Sequence, residues 1–276
     1  MGVTLGALPK GHQFPATAFE LSPDWVNEYA ASVEDRATSA LGDFVPPMAL
    51  AALSIRALLE SAALPAGAIH LGQEVTFLRA VRRGEKLTAR ARITSRGERQ
   101  GWVLMGVELT ASDERSEPVM TGRATVTFPA QLSAAAPEMS TGKGDRAVAP
   151  APHDALDPVV KTVTQQKIDR YALSSGDNNP LHTDATFAAV TRFGGTIAHG
   201  MLMLAYISEM LTLAFRQAWP SSGRLKVRFR GAARPGDTVT AGGRIVRSAG
   251  GITACEIECR NQNGEILITG DAEVRA

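Results

Sequence analysis

Cysteine is nearly absent: only Cys255 and Cys259 occur in the 276 residues. They sit on one face of what reads as a single strand, too far apart along an extended chain for an ordinary bridge. A disulfide framework is therefore excluded, and a reduced, cytoplasmic setting is the simpler expectation. Long apolar runs are missing too. No stretch of about 18 apolar residues occurs, and the opening MGVTLGALPKGHQFPA lacks the apolar core of a signal peptide. The expectation is a soluble chain with no membrane partner. A myristoylation pattern that starts at Gly2 fails at Gly6, where Ser or Thr is required. Nor is there an excess of charge. With 29 basic and 28 acidic side chains the net charge is +1, so no global field attracts nucleic acid. What is present, 44% hydrophobic residues, fills one large domain or two of ordinary size.

The polar residues that stand out are concentrated in 171–200, YALSSGDNNPLHTDATFAAVTRFGGTIAHG, which runs straight into an apolar segment at 201–215. Upstream, Thr164 is a candidate N-cap and Gly176 a candidate C-terminal stop for one helix. Asp177-Asn178-Asn179-Pro180 then forces a turn, because proline pushes Asn179 out of the helical region. His182 follows at once. A carboxylate and an imidazole brought together by this turn can share one water, take its proton and hand a proton on. The same residues also suit an ordinary surface loop. Asp177, His182, Asp184 and His199 are conceivable metal ligands, but HxxxH, HExxH and CxxC spacings are all missing, and no metal is expected. Ser174 and Ser175 lack the G-x-S-x-G setting of a nucleophile. Gly200, at the start of the apolar helix, would present an unpaired backbone N–H to a ligand at the helix's positive end.

The run Y-x-L-S-S-G-D-N-N-P-L-H-x-D, followed by F-G-G-x-I-A-H-G-M, resembles the signature of the MaoC-like, R-specific enoyl-CoA hydratase family. The resemblance implies a hot-dog fold, a curved antiparallel sheet wrapped around one long helix. It implies that Asp177 and His182 are the catalytic dyad, that Asn179 helps hold the catalytic water, and that Gly200 N–H bonds the thioester carbonyl. Gly195 and His199, within the same motif, are assigned to substrate binding, with a structural histidine that orients the loop as the alternative for His199. The implied reaction is reversible syn hydration of a trans-2-enoyl thioester to an (R)-3-hydroxyacyl product. The substrate partner is an acyl-CoA or acyl-carrier-protein thioester, and a homodimer is left open. No metal or redox cofactor is needed, since the thioester already acidifies C2 and makes C3 electrophilic. Two other readings are a hot-dog thioesterase and a non-catalytic acyl-thioester binding protein.

The chain also repeats itself. Ser22-Pro23 opens a helix as Thr164 does, Tyr29 answers Tyr171, and Asp35 answers Asp177. The position matching His182 is Ala40, and the segment that follows is shorter. Apolar helices are expected at 48–59 and 201–215. Four strands should follow each, at 70–79, 86–95, 101–111 and 118–128, then at 224–231, 238–246, 252–260 and 265–274. This is an α+β double hot-dog, with the two antiparallel sheets joined edge to edge into one curved sheet, each wrapped around a long apolar helix. The expected division is a degenerate domain at 1–129, an Ala/Pro-rich linker at 130–153 and a catalytic domain at 154–276. Ala49 and Ala51 are small where Leu202 and Leu204 are large, and Ala52 matches the equally small Ala205, so this helix is expected to leave room for an acyl chain or to let helix and sheet approach closely. Finally, Arg224, Lys226, Arg228 and Arg230 alternate along one strand face. Arg228 and Arg230 are expected to meet the phosphates of coenzyme A or an acidic carrier, unless the face is simply solvated.

Overall fold

The structure, a computed structural model, describes residues 3–65, 67–130 and 154–275; the linker expected at 130–153 lies, but for Ala130, outside the described residues. A 3₁₀ turn at Leu5–Ala7 precedes β1 (Thr17–Glu20), α1 (Pro23–Val33), α2 (Arg36–Ser39) and α3 (Pro47–Ser61). Then come β2 (Ile69–Phe77), β3 (Lys86–Arg99), β4 (Trp102–Ser112) and β5 (Pro118–Pro129). The second half runs β6 (Val159–Thr162), α4 (Gln165–Ser175), α5 (Pro180–Thr183), α6 (Ala185–Ala189), α7 (Gly200–Phe215) and α8 (Ala218–Ser222). It closes with β7 (Arg224–Phe229), β8 (Thr238–Ala249), β9 (Ile252–Asn261) and β10 (Ile266–Arg275).

Both caps read from the sequence form. Ser22 accepts the Trp25 N–H and Thr164 accepts the Lys167 N–H. Gly176 ends α4 in the left-handed region at φ 78°, which glycine enters without steric cost. Its counterpart Glu34 ends α1 at φ 54°, a conformation disfavoured for a side chain that carries Cβ.

All strands join one antiparallel sheet in the order β1-β3-β4-β5-β2-β7-β10-β9-β8-β6, five from each half of the chain. The sequence reading missed β1 and β6, which are only four residues each and carry no strong alternation. Short strands at both edges leave little backbone open to pairing with another chain. At the centre β2 pairs with β7, and Glu74 lies opposite Lys226 with a 3.2 Å ion pair between them. Glycines make this junction tight. A Cβ on Gly72 would stand 2.8 Å from the Val227 carbonyl oxygen, and on the other side of β2 one on Gly122 of β5 would stand 2.7 Å from that of Glu74. α3 packs on β3, β4 and β5, whereas α7 packs on β6, β8 and β9, so each half supplies a helix for its own strands.

The repeat becomes a physical interface where its counterparts meet. The Tyr29 and Tyr171 rings lie 6.1 Å apart, and the hydroxyls of Ser32 and Ser174 hydrogen-bond each other at 2.8 Å in the interior. The polar breaks in the apolar run of α7 have partners too. Ser208 accepts from Trp219 Nε1, and Thr212 Oγ1 donates to the Ser208 carbonyl. Buried Glu209 forms an ion pair with Lys161 at 2.7 Å and accepts the Arg36 N–H at 3.0 Å, while Lys161 also donates to the Glu34 carbonyl. A charge in this interior survives only because both partners are fixed and further hydrogen-bonded. Among the described residues no helix is long and apolar enough to cross a membrane.

Gly72→Ala is expected to destabilise the protein by about 1–3 kcal/mol, because its methyl group must displace backbone and not a flexible side chain. Gly242→Ala, where nothing lies within 4 Å of the added Cβ, serves as the control. Equal urea midpoints for the two variants would show that the junction is not close-packed.

Candidate active site

The turn after α4 is assembled from its own side chains. The Asp177 N–H donates to Ser175 Oγ at 3.3 Å, and the Asn179 N–H donates to Asp177 Oδ1 at 3.3 Å. Asn179 caps α5, its Oδ1 accepting the Leu181 N–H at 3.0 Å. Its amide nitrogen has no partner among the described residues and can meet a water. The single turn of α5 brings His182 back beside Asp177. His182 Nδ1–H donates to the Ile197 carbonyl at 2.8 Å, which leaves Nε2 as a free acceptor. His199 Nε2–H donates to the Asp177 carbonyl at 3.0 Å, and the two imidazoles stack at 3.7 Å with planes inclined by 31°. Asp184, the other acid of the motif, caps α6 through the Phe187 N–H and has a local structural role.

One ligand atom each from Asp177, His182 and His199 lies within 4.8 Å of the others. Two groups that share a water stand up to about 5.5 Å apart, so one water fits between carboxylate and imidazole. A metal suits this set poorly. In-plane lone pairs of rings stacked at 3.7 Å and 31° converge beyond the reach of a bond of about 2.1 Å.

Burial lowers the pKa of His182, opposed by the negative charge of Asp177 and by the Ile197 carbonyl. His199 is pushed well below the usual histidine range by burial, and then by the charge His182 would carry. Both rings are therefore neutral at pH 7, as a base must be to accept a proton.

The dyad borders a cavity of about 150 Å³. Gly200 stands at its wall as the first residue of α7, and neither its N–H nor that of Met201 has an acceptor among the described residues. A Cβ on Gly200 would lie 2.6 Å from Phe229 Cε1, so glycine is required here by packing as well as by access to the N–H. A wider cavity of about 880 Å³ shares Asp177 and Asn179 and runs between residues 59–69 of the first half and 176–193 of the second.

Several expected site residues lie elsewhere. Gly195 is in the preceding loop, borders neither cavity, and has the Arg234 guanidinium 3.8 Å from where its Cβ would be. The stripe 224–230 lies on the outer sheet face, where Arg224 pairs with Glu273 and Lys226 with Glu74. Arg228 is exposed and Arg230 reaches only Thr269 Oγ1, at 3.4 Å. Both border a hollow of about 560 Å³ that adjoins the catalytic cavity through Ile69 and Phe229. Ala49, Ala51 and Ala52 are packed in the core and border none of these three cavities; α3 reaches the site through Ile55, Leu58 and Leu59 instead. Asp35 spends both carboxylate oxygens on Thr38, as the N-cap of α2.

The sequence reading missed His70 and Leu5, both at the cavity wall. A bulge at Leu71 turns His70 and Gln73 to the same face: His70 stands opposite Val126 and Gln73 opposite Ala124. The His70 ring packs on Phe229 at 4.8 Å, its Nε2 is buried without a partner, and burial pulls its pKa down to about 4.

Fold and site define a class first: a double hot-dog protein with a carboxylate and two stacked imidazoles gathered near the N-terminus of α7. A model for the MaoC like domain matches residues 148–262, and one for the FAS1-like dehydratase domain region matches residues 10–122. The chain is 32% identical over 115 residues to the (R)-specific enoyl-CoA hydratase of Aeromonas caviae, covering 40% of this chain and 83% of that protein. It is 37% identical over 87 residues to the enzyme of the same name from Rhodospirillum rubrum, spanning 30% of this chain and 58% of that one. With 3-hydroxyacyl-thioester dehydratase X of Mycobacterium tuberculosis it shares 29% identity over 236 residues, 82% of this chain and 79% of that one. Among solved structures, a MaoC-like dehydratase superposes with a TM-score of 0.78 at 20% identity, covering 96% of this chain and 98% of that one. HtdX of Mycobacterium tuberculosis superposes at 0.69 and 26%, covering 94% and 99%. The chain belongs to the MaoC-like dehydratase family, a family of hydro-lyases.

Histidines held neutral by burial make stability depend on acid. An unfolded histidine takes its proton near pH 6.5, whereas folded His70 resists until about 4. Its stabilisation is thus complete above pH 6.5 and is lost as pH falls toward 4, by up to about 3 kcal/mol. His182 and His199, also lowered, act in the same sense. Buried Asp35, whose carboxyl is raised, acts in the opposite one. His70→Phe should therefore lose less stability between pH 7 and pH 4.5 than the wild type in thermal melts. Parallel losses would mean that His70 charges freely in the folded state.

Proposed function

We propose that this protein reversibly hydrates trans-2-enoyl thioesters to (R)-3-hydroxyacyl thioesters, with Asp177 and His182 as the acid–base pair. The observation that carries this reading is an imidazole, His182, whose Nε2 is left as an acceptor and which shares with the Asp177 carboxylate a cluster of water-bridging size, beside an unpaired helix N-terminal N–H. In this mechanism the water is held between Asp177 and His182, and the amide nitrogen of Asn179 is placed to steady it. Its oxygen adds to C3 while its proton passes to the dyad. The dyad returns a proton to C2 on the same face, and the double bond becomes a single bond. Negative charge that develops on the thioester oxygen meets Gly200 N–H at the positive end of α7, a donor already in place before the reaction. Dehydration is the same path reversed.

The thioester arm enters, on this reading, through the wider cavity beside Asn179. The first half of the chain serves as a binding partner, since Asp35 is committed to its cap and Ala40 cannot exchange a proton. The carrier is coenzyme A, with Arg228 and Arg230 as the cations on the stripe without a carboxylate partner among the described residues.

Asp177→Asn and His182→Ala should each lower kcat by about 10²–10⁴ with folding intact. Since both act on one water, the double variant should be scarcely worse than either single one. Loss of the conjugated double bond's absorbance measures this, and near-normal turnover in either variant would remove the dyad from the mechanism. Release of free thiol from saturated acyl-CoA would favour thioester hydrolysis instead.

Neutralising Arg228 and Arg230 together should raise KM for a CoA thioester several-fold and flatten its dependence on salt. A truncated pantetheine thioester should be far less affected. An equal effect on the two substrates would make the stripe structural.

A further inference from the structure

The catalytic cavity lies in the seam between two separate hydrophobic clusters. Leu5, Leu58 and Val126 belong to the cluster of the first half's outer strands, Met203 and Ile268 to the larger central one, and Ile55 packs against both. On the side shared with the wider cavity, the walls are the polar turn and the 59–69 segment, and this is the way in. The opposite end runs to Leu5, Leu58 and Val126. These are 1%, 4% and 9% exposed, with the packed interior of the first half behind them. That end is closed and apolar.

Leu5 is not free to give way. The Leu5 N–H donates to the Ala63 carbonyl at 2.8 Å, and Thr4 pairs with Ala63. A Cβ on the next residue, Gly6, would lie 3.1 Å from both Phe128 and Pro65. Further along, the Gly11 N–H donates to Ile93 and the Phe14 N–H to Ala91, so residues 3–14 form a strap laid across the first half's strands. The 150 Å³ of space between this strap and the dyad is matched by apolar cavities of about 150 Å³ that hold a six-carbon ring such as benzene.

We infer that the enzyme is specific for short acyl groups, about six carbons and shorter, and that Leu5 of the N-terminal strap is the residue that sets the limit. The inference rests on the hydratase reading and names its substrate class. A methylene that the pocket cannot hold costs roughly tenfold or more in kcat/KM. The dyad and Gly200 are untouched by Leu5, so changing Leu5 should alter which acyl chains are accepted and not the chemistry itself.

The test is kcat/KM for the even-numbered trans-2-enoyl-CoA series from four to twelve carbons. The wild type should peak at six carbons or fewer and fall at least tenfold by ten carbons. Leu5→Ala should raise the ten- to six-carbon ratio about tenfold, and Leu5→Phe should move the optimum toward four carbons. Should Leu5→Ala fail to fold, Val126→Ala at the same end wall is expected to show the same shift. A wild-type optimum at ten carbons or more would overturn the inference, as would an unchanged profile in folded Leu5 and Val126 variants. Absence of turnover at every chain length would overturn the hydratase reading itself, a result distinct from hydration without chain-length selection.

Discussion

The hydrogen bond from His182 Nδ1–H to the Ile197 carbonyl holds the site together. It fixes which imidazole nitrogen carries the proton, and so leaves Nε2 as the acceptor. It also ties the short helix α5 to the chain entering α7, two segments that would otherwise be independent loops. His199 extends the same logic by stacking on His182 and holding the Asp177 carbonyl. Without this bond the tautomer is undetermined, and the carboxylate, the imidazole and the helix N-terminus have no common frame. Side chains held this way are fixed before any ligand arrives.

The repeat explains why only one half carries such a frame. Where the second half turns sharply at Asp177 toward His182, the first half continues from Asp35 into the one-turn helix α2. Nearby, Lys161, Glu209 and the Arg36 backbone form an interior ion-pair cluster. The carboxylate of that half, Asp35, is satisfied locally by Thr38, and the nearby charges of the second half satisfy one another. The free polar capacity gathers at the other end of α3, where the cavity opens.

Much of this was legible in the sequence, for reasons that vary with the element. The eight long strands alternate strongly or end at glycine turns, α1 and α4 carry side-chain caps, and α3 and α7 are near-continuous apolar runs, so periodicity and turn chemistry located them. The four-residue edge strands β1 and β6 offer too few residues for any period. The closeness of Asp177 and His182 was readable because they are adjacent in a turn whose shape proline and asparagine dictate locally. His70 was not, because its inward direction depends on a bulge at Leu71, and one extra residue reverses every face assignment before it. For Ala49, Ala51 and Ala52, where the sequence allowed either an acyl pocket or close approach of helix and sheet, the space is taken by neighbouring core. The arginine stripe was correctly placed on one face, and the carboxylates that neutralise half of it come from β2 and β10, which no local pattern announces.

The Ser32–Ser174 contact joins equivalent points of two halves that share one polypeptide. In a pair of identical subunits every substitution is made twice, so a wall reshaped for one ligand would be reshaped around the chemistry as well. Covalent fusion lifts that coupling. One copy is free to drift in shape while the other is kept for proton transfer, and selectivity can be retuned in the drifting copy at no cost in turnover.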